Sequence, residues 1–161
     1  MKSHSYDVRV AWTGNTGVGT AGYADYRRDT VTTAGDKDGL LGSSDPNFRG
    51  DPARWNPEEL LLTSLSQCHL LWYLDLVARA GVVVTDYVDE PSATMVLNSD
   101  GSGQFQRVVL RPSVTITDPD DRSRALELHS RAHDMCFIAR SVNFPVDCEP
   151  TVGVRQTGAL G

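Results

Sequence analysis

Three cysteines carry the nucleophilic and redox chemistry available to this 161-residue chain, and they stand far apart in the sequence. Cys68 lies inside a long apolar stretch, where burial disfavours the thiolate and leaves a cysteine inert. A reactive Cys68 therefore needs a cation delivered by another part of the chain. An odd number of widely spaced cysteines, here completed by Cys136 and Cys148, is typical of buried or catalytic thiols in a cytoplasmic protein rather than of a secreted disulfide scaffold.

Two glutamates and two arginines are the candidates for activating that thiol. Glu59 stands three residues after Asn56, the position of a capping box, which leaves Glu58 free to hold an arginine through a bidentate pair. A simple helix-start acid is the competing interpretation of Glu58. Arg27 and Arg28 are consecutive in a stretch predicted to be extended, so their side chains point to opposite faces and only one can reach a pocket. Which of the two does so stays open at this point.

A competing metal site involves the second thiol. His129, His133 and Cys136 follow the i, i+4, i+7 spacing of one helical face and could fill three positions of a zinc site, with Cys148 or water as the fourth ligand. The plain alternative is a helical face that happens to carry two histidines. In the zinc-binding interpretation, Cys68 is only a small core residue.

The element that positions Cys68 is a helix predicted from Asn56 to Gly81. Asn56 caps the first turn, Pro57 suits the first helical position and Gly81 ends the helix. Apolar residues leave the helix almost no polar face, so we expect it to be buried all round. Its uncharged run is too short and too polar for a membrane span, and a net charge of −6 argues against nucleic-acid binding.

The remaining elements predict a single α+β domain, residues 1–161, with antiparallel sheets packed around the long buried helix. The apolar residues spaced between positions 34 and 55 predict a long loop that is packed rather than disordered. The predicted elements, in order, are strand Tyr6–Trp12, extended 21–33, strands 82–88, 92–97 and 105–117, a helix from Asp118 to about Met135, a short helix Met135–Val142 containing Cys136, a closing strand 149–154 and a loose tail 156–161.

Several motifs of this sequence resemble the OsmC/Ohr family. They are Asn56-Pro-Glu-Glu-Leu-Leu61 with Cys68 ten residues after Glu58, Ala132-His-Asp-Met-Cys136, and Asn143-Phe-Pro-Val146. The segment Tyr23-Ala-Asp-Tyr-Arg-Arg-Asp29 is also similar to the arginine-bearing strand of one branch. The resemblance covers nearly the whole chain, with the motifs in the same order.

The resemblance implies an intertwined homodimer of thiol peroxidases that reduce organic hydroperoxides, with no metal or organic cofactor. By the same resemblance, Cys68 is the peroxidatic thiol, Glu58 holds an arginine, Cys136 is the resolving thiol, and Arg28 is favoured over Arg27. A dithiol reductant, lipoyl or other, would reopen the disulfide. Leu65, Leu71 and Trp72 near Cys68 favour a bulky apolar peroxide. A family member that binds a small apolar ligand without turnover is the remaining alternative, and the role of Cys148 stays open.

Overall fold

The computed structural model describes residues 2–155, which form an α+β arrangement of nine strands and two α-helices. Short 3-10 turns occur at Pro46–Phe48, Pro119–Asp121 and Ala139–Ser141. The elements are β1 (Arg9–Trp12), β2 (Thr30–Thr33), β3 (Leu40–Gly42), α1 (Pro57–Ala80), β4 (Val84–Asp89), β5 (Ser92–Leu97), β6 (Gly103–Leu110), β7 (Pro112–Ile116), α2 (Arg122–Met135), β8 (Val146–Cys148) and β9 (Thr151–Val154).

The ends of α1 form as the sequence predicts. The Asn56 side chain accepts a hydrogen bond from the Glu59 backbone N–H at 2.8 Å, and the Glu59 carboxylate accepts one from the Asn56 N–H at 3.2 Å. This reciprocal pair satisfies two donors that a helix start leaves free. At the other end Gly81 adopts φ 78°, and Val82 N–H bonds the Val77 carbonyl at 3.0 Å. A left-handed glycine of this kind closes the helix, since the conformation is strained for other residues.

The described residues divide into two compact units, with the boundary inside α1 between Leu61 and Leu62. The first unit contains the antiparallel sheet β1-β2-β3 and the first turn of α1. The second contains two mixed sheets of order β4-β7-β9 and β5-β6-β8, in which β9 and β8 are the parallel strands. The single domain over residues 1–161 stays a prediction, and the tail 156–161 lies outside the described residues.

One predicted strand is split in the structure and another is shortened. The run 105–117 becomes β6 and β7, which belong to different sheets, because Arg111 N–H bonds the Asp89 carboxylate at 2.6 Å and Pro112 has no N–H to donate. The predicted closing strand 149–154 is likewise shortened to β9, with Pro150 separating it from β8. The patterns located the buried residues correctly, but period alone does not show where a chain changes sheets.

Three further boundaries differ from the prediction. The extended stretch 21–33 is a strand only from Thr30, and the loop 34–55 contains β3, which the sequence pattern did not show. The predicted short helix 135–142 is only a 3-10 turn, because Cys136 is extended (ψ 110°) and ends α2. Cys136 is thus the residue after a helix rather than part of a new one.

The core of the second unit gathers Tyr73 and Val77 of α1 with residues of the β4-β7-β9 sheet and of α2. The buried residues of α1 are Leu65, His69, Tyr73 and Val77, one stripe at i+4 spacing. Leu71, in contrast, is 59% exposed, so the all-round burial expected from composition is not found in a single chain. One chain covers only one side of this helix.

Contrary to the expectation from its uncharged run, α1 is by length and composition apolar enough to cross a membrane, with a mean hydropathy of 1.2. The core helix of a soluble protein passes the same test. Tyr73 and Val77 lie in the core of the second unit, and 22% of the apolar window is buried within one chain.

Candidate functional site

The side chains of two predicted site residues, Cys68 and Cys136, interact with each other. Cys68 lies in the middle of α1 and is half-buried, whereas Cys136 directly follows α2 and is 1% exposed. Both are free thiols. The Ala139 N–H donates to Cys136 Sγ at 3.4 Å, so the turn after α2 holds the second sulfur in place. The structure therefore brings together the two thiols that are 68 positions apart in the sequence.

The two thiols differ in protonation chemistry. Burial raises the pKa of Cys136 to about 11; the Ala139 N–H, which donates to its sulfur, opposes this, and the interaction in which the Cys136 thiol donates to Cys68 raises the pKa further. Cys136 is consequently a protonated thiol at neutral pH and a poor first nucleophile. Of the pair, the half-buried Cys68 is the thiol that a reagent can approach.

An aromatic contact fixes the same two segments against each other. Trp72 stands one helical turn after Cys68, and its ring meets the ring of Phe137 edge-on with centroids 5.5 Å apart. Phe137 directly follows Cys136. Cys68 and Trp72, one turn apart on α1, thus face Cys136 and Phe137, the two residues that directly follow α2.

The predicted hydrophobic residues around Cys68 do not share one environment. Leu65 is fully buried, Trp72 is half-buried and Leu71 is 59% exposed. Their role in substrate binding stays a prediction.

Arg28 is held by its own loop in the first unit. Its guanidinium donates to the Tyr26 carbonyl at 2.7 Å and to the Tyr23 carbonyl at 2.8 Å, and lies over both tyrosine rings, 4.1 and 4.3 Å from their centroids. Arg27 instead is mostly exposed and pairs with Asp29 at 3.0 Å. Both arginines precede β2, so the strand-based argument for opposite faces was wrong in its premise, although their exposures do differ.

Glu58 presents an unpartnered acceptor in the same unit. Its Oε2 is buried and has no hydrogen-bond partner among the described residues. Arg54 has an unpartnered donor instead. Its Nη1 is buried without a hydrogen-bond partner, while its Nε lies 3.5 Å from the Asp51 carboxylate. The predicted pair between Glu58 and Arg28 is not formed, because the Arg28 fork is engaged by backbone carbonyls. Arg54 is a cation that the sequence reading overlooked.

A cavity of about 490 Å³ opens beside Arg28 in the first unit. Its walls are mostly aromatic and aliphatic and include Trp12, Tyr26, Trp55 and Leu60 beside Arg28. An apolar cavity with a single guanidinium in its wall suits a ligand that is largely hydrocarbon with one polar end.

A second cluster of ligand-type side chains lies elsewhere in the second unit. The Nε2 of His69 is 3.0 Å from Nδ1 of His129 and 3.6 Å from Sγ of Cys148. Burial lowers the pKa of His69 to about 4 and that of His129 to about 3, so both rings are neutral at pH 7. Burial, then Asp89 and Glu149, raise the pKa of Cys148 to about 12.

The zinc set His129, His133 and Cys136 predicted from sequence does not converge. Among residues 2–155, the donor atoms found within 4.8 Å of one another belong to His69, His129 and Cys148. The helical spacing fails because α2 ends at Met135, and Cys136 turns to Cys68 instead. His69, directly after Cys68, was missed because its spacing of four from Leu65 and Tyr73 is that of any core position of a helix.

Comparisons with known protein families, sequences and structures each find proteins similar to this chain. The family profile of OsmC-like protein matches residues 50–151. The uncharacterized protein YmaD of Bacillus subtilis is 24% identical over 162 residues, which is 98% of this chain and 99% of YmaD. An OsmC-like protein of unknown function from Vibrio cholerae has a TM-score of 0.82 at 28% identity, covering 92% of this chain and 100% of that one.

An organic hydroperoxide resistance protein from Elizabethkingia anophelis has a TM-score of 0.66 at 11% identity, covering 96% of this chain and 99% of that one. At this identity the likeness concerns the fold alone. The family match spans α1 with Cys68 as well as α2 with Cys136. These findings confirm the resemblance seen in the motifs and the α+β fold with its long helix: the chain belongs to the OsmC-like protein family.

Proposed function

We propose that this protein is a thiol peroxidase that reduces organic hydroperoxides, with Cys68 as the peroxidatic and Cys136 as the resolving cysteine. The observation that carries the proposal is the interaction between the side chains of these two free thiols, which are 68 positions apart in the sequence. Membership of the OsmC-like family supports it, because some structural neighbours are named organic hydroperoxide resistance proteins.

The proposed reaction has three steps. The Cys68 thiolate attacks the distal oxygen of the hydroperoxide, the O–O bond breaks, and the alkoxide takes a proton to leave as the alcohol. The sulfur is now a sulfenic acid. The Cys136 thiol attacks that sulfur, a disulfide forms and water leaves. A dithiol then reduces the disulfide by exchange and is itself oxidised to a cyclic disulfide.

Within this proposal Arg28 and Glu58 prepare the first step. Arg28 leaves its tyrosine carbonyls, pairs with the unpartnered Oε2 of Glu58, and stabilises the Cys68 thiolate and the developing alkoxide. A guanidinium serves both tasks because its planar fork offers several donors at once. Arg54, whose Nη1 is also unpartnered, is the arginine to test beside it.

The partners follow from the same chemistry. We propose a bulky apolar hydroperoxide as substrate, since Leu65 and Trp72 are apolar neighbours of Cys68 on α1. We also propose a lipoyl or other dithiol reductant, a cytoplasmic location where reduced thiols persist, and a homodimer that covers the exposed side of α1, where Leu71 is 59% exposed.

Peroxide consumption tests the proposal. Reduced protein supplied with dithiothreitol or dihydrolipoamide should consume cumene or tert-butyl hydroperoxide, followed by a colorimetric peroxide assay. Cys68→Ser should abolish this, whereas Gln67→Ala, an exposed neighbour on α1, should retain it. Full turnover by Cys68→Ser would rule out the assignment.

A second candidate is a family member that binds a small apolar ligand without turnover. The cavity of about 490 Å³ with its aromatic lining favours it. Such a protein would be thermally stabilised by an apolar ligand such as cumyl alcohol while consuming no cumene hydroperoxide in the same preparation.

A further inference from the structure

Three metal-binding side chains meet away from the thiol pair, in the second unit. His69 comes from the buried stripe of α1, His129 from α2 and Cys148 from the end of β8. The two histidines are 0% and 1% exposed, and Cys148 is half-buried. These three elements are distant in sequence, so the fold itself assembles the group.

The spacing of the donor atoms fits a tetrahedral ion. Zinc bonds of about 2.0–2.1 Å to nitrogen and 2.3 Å to sulfur place neighbouring ligand atoms about 3.3–3.6 Å apart. The separation of His69 Nε2 and Cys148 Sγ is 3.6 Å, and that of His69 Nε2 and His129 Nδ1 is 3.0 Å. The two rings need to separate by a few tenths of an ångström to admit the ion, and the ligand atoms of all three residues lie within 4.8 Å of one another.

The two rings already share one hydrogen bond. One of the facing nitrogens donates to the other, so one of the two outer nitrogens, His69 Nδ1 or His129 Nε2, carries a proton, and both are buried without a hydrogen-bond partner. An ion at the facing nitrogens leaves a proton on each outer nitrogen, so the metal-bound state must supply both with an acceptor such as water.

The surroundings hold the rings in place and favour a cation. Tyr73 stacks on the ring of His129 with centroids 3.8 Å apart, and the Tyr73 hydroxyl is fixed by the Ala125 carbonyl at 3.1 Å. Asp89 interacts electrostatically with His69 and with Cys148. Its carboxylate is itself fixed by the Ser66 hydroxyl at 2.5 Å. Fixed ligands and a nearby negative charge lower the cost of capturing a divalent ion.

An approach to the cluster exists from outside. A cavity of about 300 Å³ reaches His129 and Cys148, and His133 and Asp134 also line it. The ion can enter by this cavity, and a water molecule in it can complete the coordination. Two imidazoles with one thiolate and an open fourth position is a donor set that suits zinc.

We propose that His69 Nε2, His129 Nδ1 and Cys148 Sγ bind one Zn²⁺ per chain, with the fourth position open to the cavity beside α2. The site is separate from the proposed peroxidase pair, which uses Cys68 and Cys136. Binding exchanges the thiol proton of Cys148 for the metal, and that proton is released to solvent.

Metal titration of the full chain tests the proposal. Because Cys68 and Cys136 are themselves two neighbouring thiols, the baseline is the Cys68→Ser, Cys136→Ser variant. It should take up one equivalent of Zn²⁺ by elemental analysis after dialysis. Co²⁺ in place of Zn²⁺ should give a thiolate-to-cobalt charge-transfer band in the near ultraviolet. Adding Cys148→Ser should remove the band and weaken binding by more than about 100-fold, the upper end of what loss of a supporting contact costs.

The matched control is His133→Ala on that baseline. His133 lines the same cavity but does not contribute to the donor group, so zinc uptake and the cobalt band should persist. In the unmodified protein, zinc should slow alkylation of Cys148 by N-ethylmaleimide, located by peptide mass spectrometry, and a chelator should reverse this. No zinc above the buffer level, a cobalt band that survives Cys148→Ser, or no protection of Cys148 would each overturn the proposal.

Discussion

Cys68 and His69 are consecutive in α1, yet they belong to different environments. Successive residues of a helix are turned by about 100°, so the two side chains face different sides. His69 lies on the fully buried stripe with Leu65 and Tyr73 and meets His129. Cys68 lies on the half-buried face and meets Cys136.

The buried stripe of α1 contributes to stability, whereas its half-buried face carries the reactive sulfur. The buried stripe holds rings in a fixed, neutral and dry arrangement, which suits permanent ligands. The half-buried face leaves a sulfur accessible to a reagent while its partner thiol stays protonated in the interior. The third cysteine, Cys148, belongs to the first environment and should take no part in the chemistry of the second.

The largest expected effect concerns disulfide formation. One equivalent of cumene hydroperoxide without reductant should give a disulfide between Cys68 and Cys136 in the unmodified chain. Cys136→Ser should abolish that bond and leave a sulfenic acid that dimedone traps on Cys68. Peptide mass spectrometry under non-reducing conditions provides the measurement. A disulfide between Cys68 and Cys148 in the variant would show that the two environments are not separate.

Truncation on the buried stripe should cost stability. Leu65→Ala empties a fully buried site and should lower the free energy of unfolding by about 2–5 kcal/mol. Gln67→Ala, on the exposed side of the same helix, should change it by less than about 0.5 kcal/mol. Urea unfolding followed by circular dichroism measures both. Equal losses at the two positions would contradict the asymmetry between the faces.

Arg28 should affect the activity of Cys68, on the half-buried face of α1, and nothing on the buried stripe. Arg28→Ala removes charge-assisted hydrogen bonds of about 1.5–3 kcal/mol, so kcat/KM for cumene hydroperoxide should fall roughly 10- to 150-fold. Arg28→Lys should recover only part of this, because a point charge cannot replace the planar fork.

Two matched variants sharpen the arginine prediction. Arg27→Ala should change kcat/KM less than twofold, since Arg27 is exposed and bound to Asp29. Arg54→Ala tests the arginine with a buried, unpartnered nitrogen. If Arg54→Ala causes the larger loss and Arg28→Ala has no effect, the activating cation is Arg54.

The smallest effect concerns the protonation of Cys136. The Cys68 side chain contributes to raising its pKa by a hydrogen bond and by charge, after the larger contribution of burial. In a Cys68→Ala, Cys148→Ser chain, Cys136 is the only cysteine that iodoacetamide can alkylate. Its iodoacetamide alkylation profile should move to lower pH than in Cys148→Ser alone, where its peptide is quantified separately. Because burial persists, the pKa of Cys136 should stay above its ordinary value. An unchanged profile would indicate that the two thiols do not interact.

The local signals of the sequence were sufficient for the framework. Asn56, Glu59 and Gly81 determined both ends of α1, because capping depends on residues a few positions apart. The motifs around Cys68 and Cys136 determined the family, which the match over residues 50–151 confirmed. The existence of α2 and of most strands, but not of β3 or β8, was also evident from hydrophobic period and from Pro119 near the helix start.

Contacts between distant segments needed the folded chain. The switch of sheets at Arg111 depends on a hydrogen bond to Asp89, 22 residues away, which no local pattern encodes. The histidine-cysteine cluster was misassigned for the same reason: helical spacing pointed from His129 to Cys136, whereas packing directs His129 to His69 and Cys148. The sequence determined which side chains can do chemistry, since residue type sets reactivity. Tertiary structure decided which of them meet, because burial and direction arise only when α1, α2 and β8 pack together.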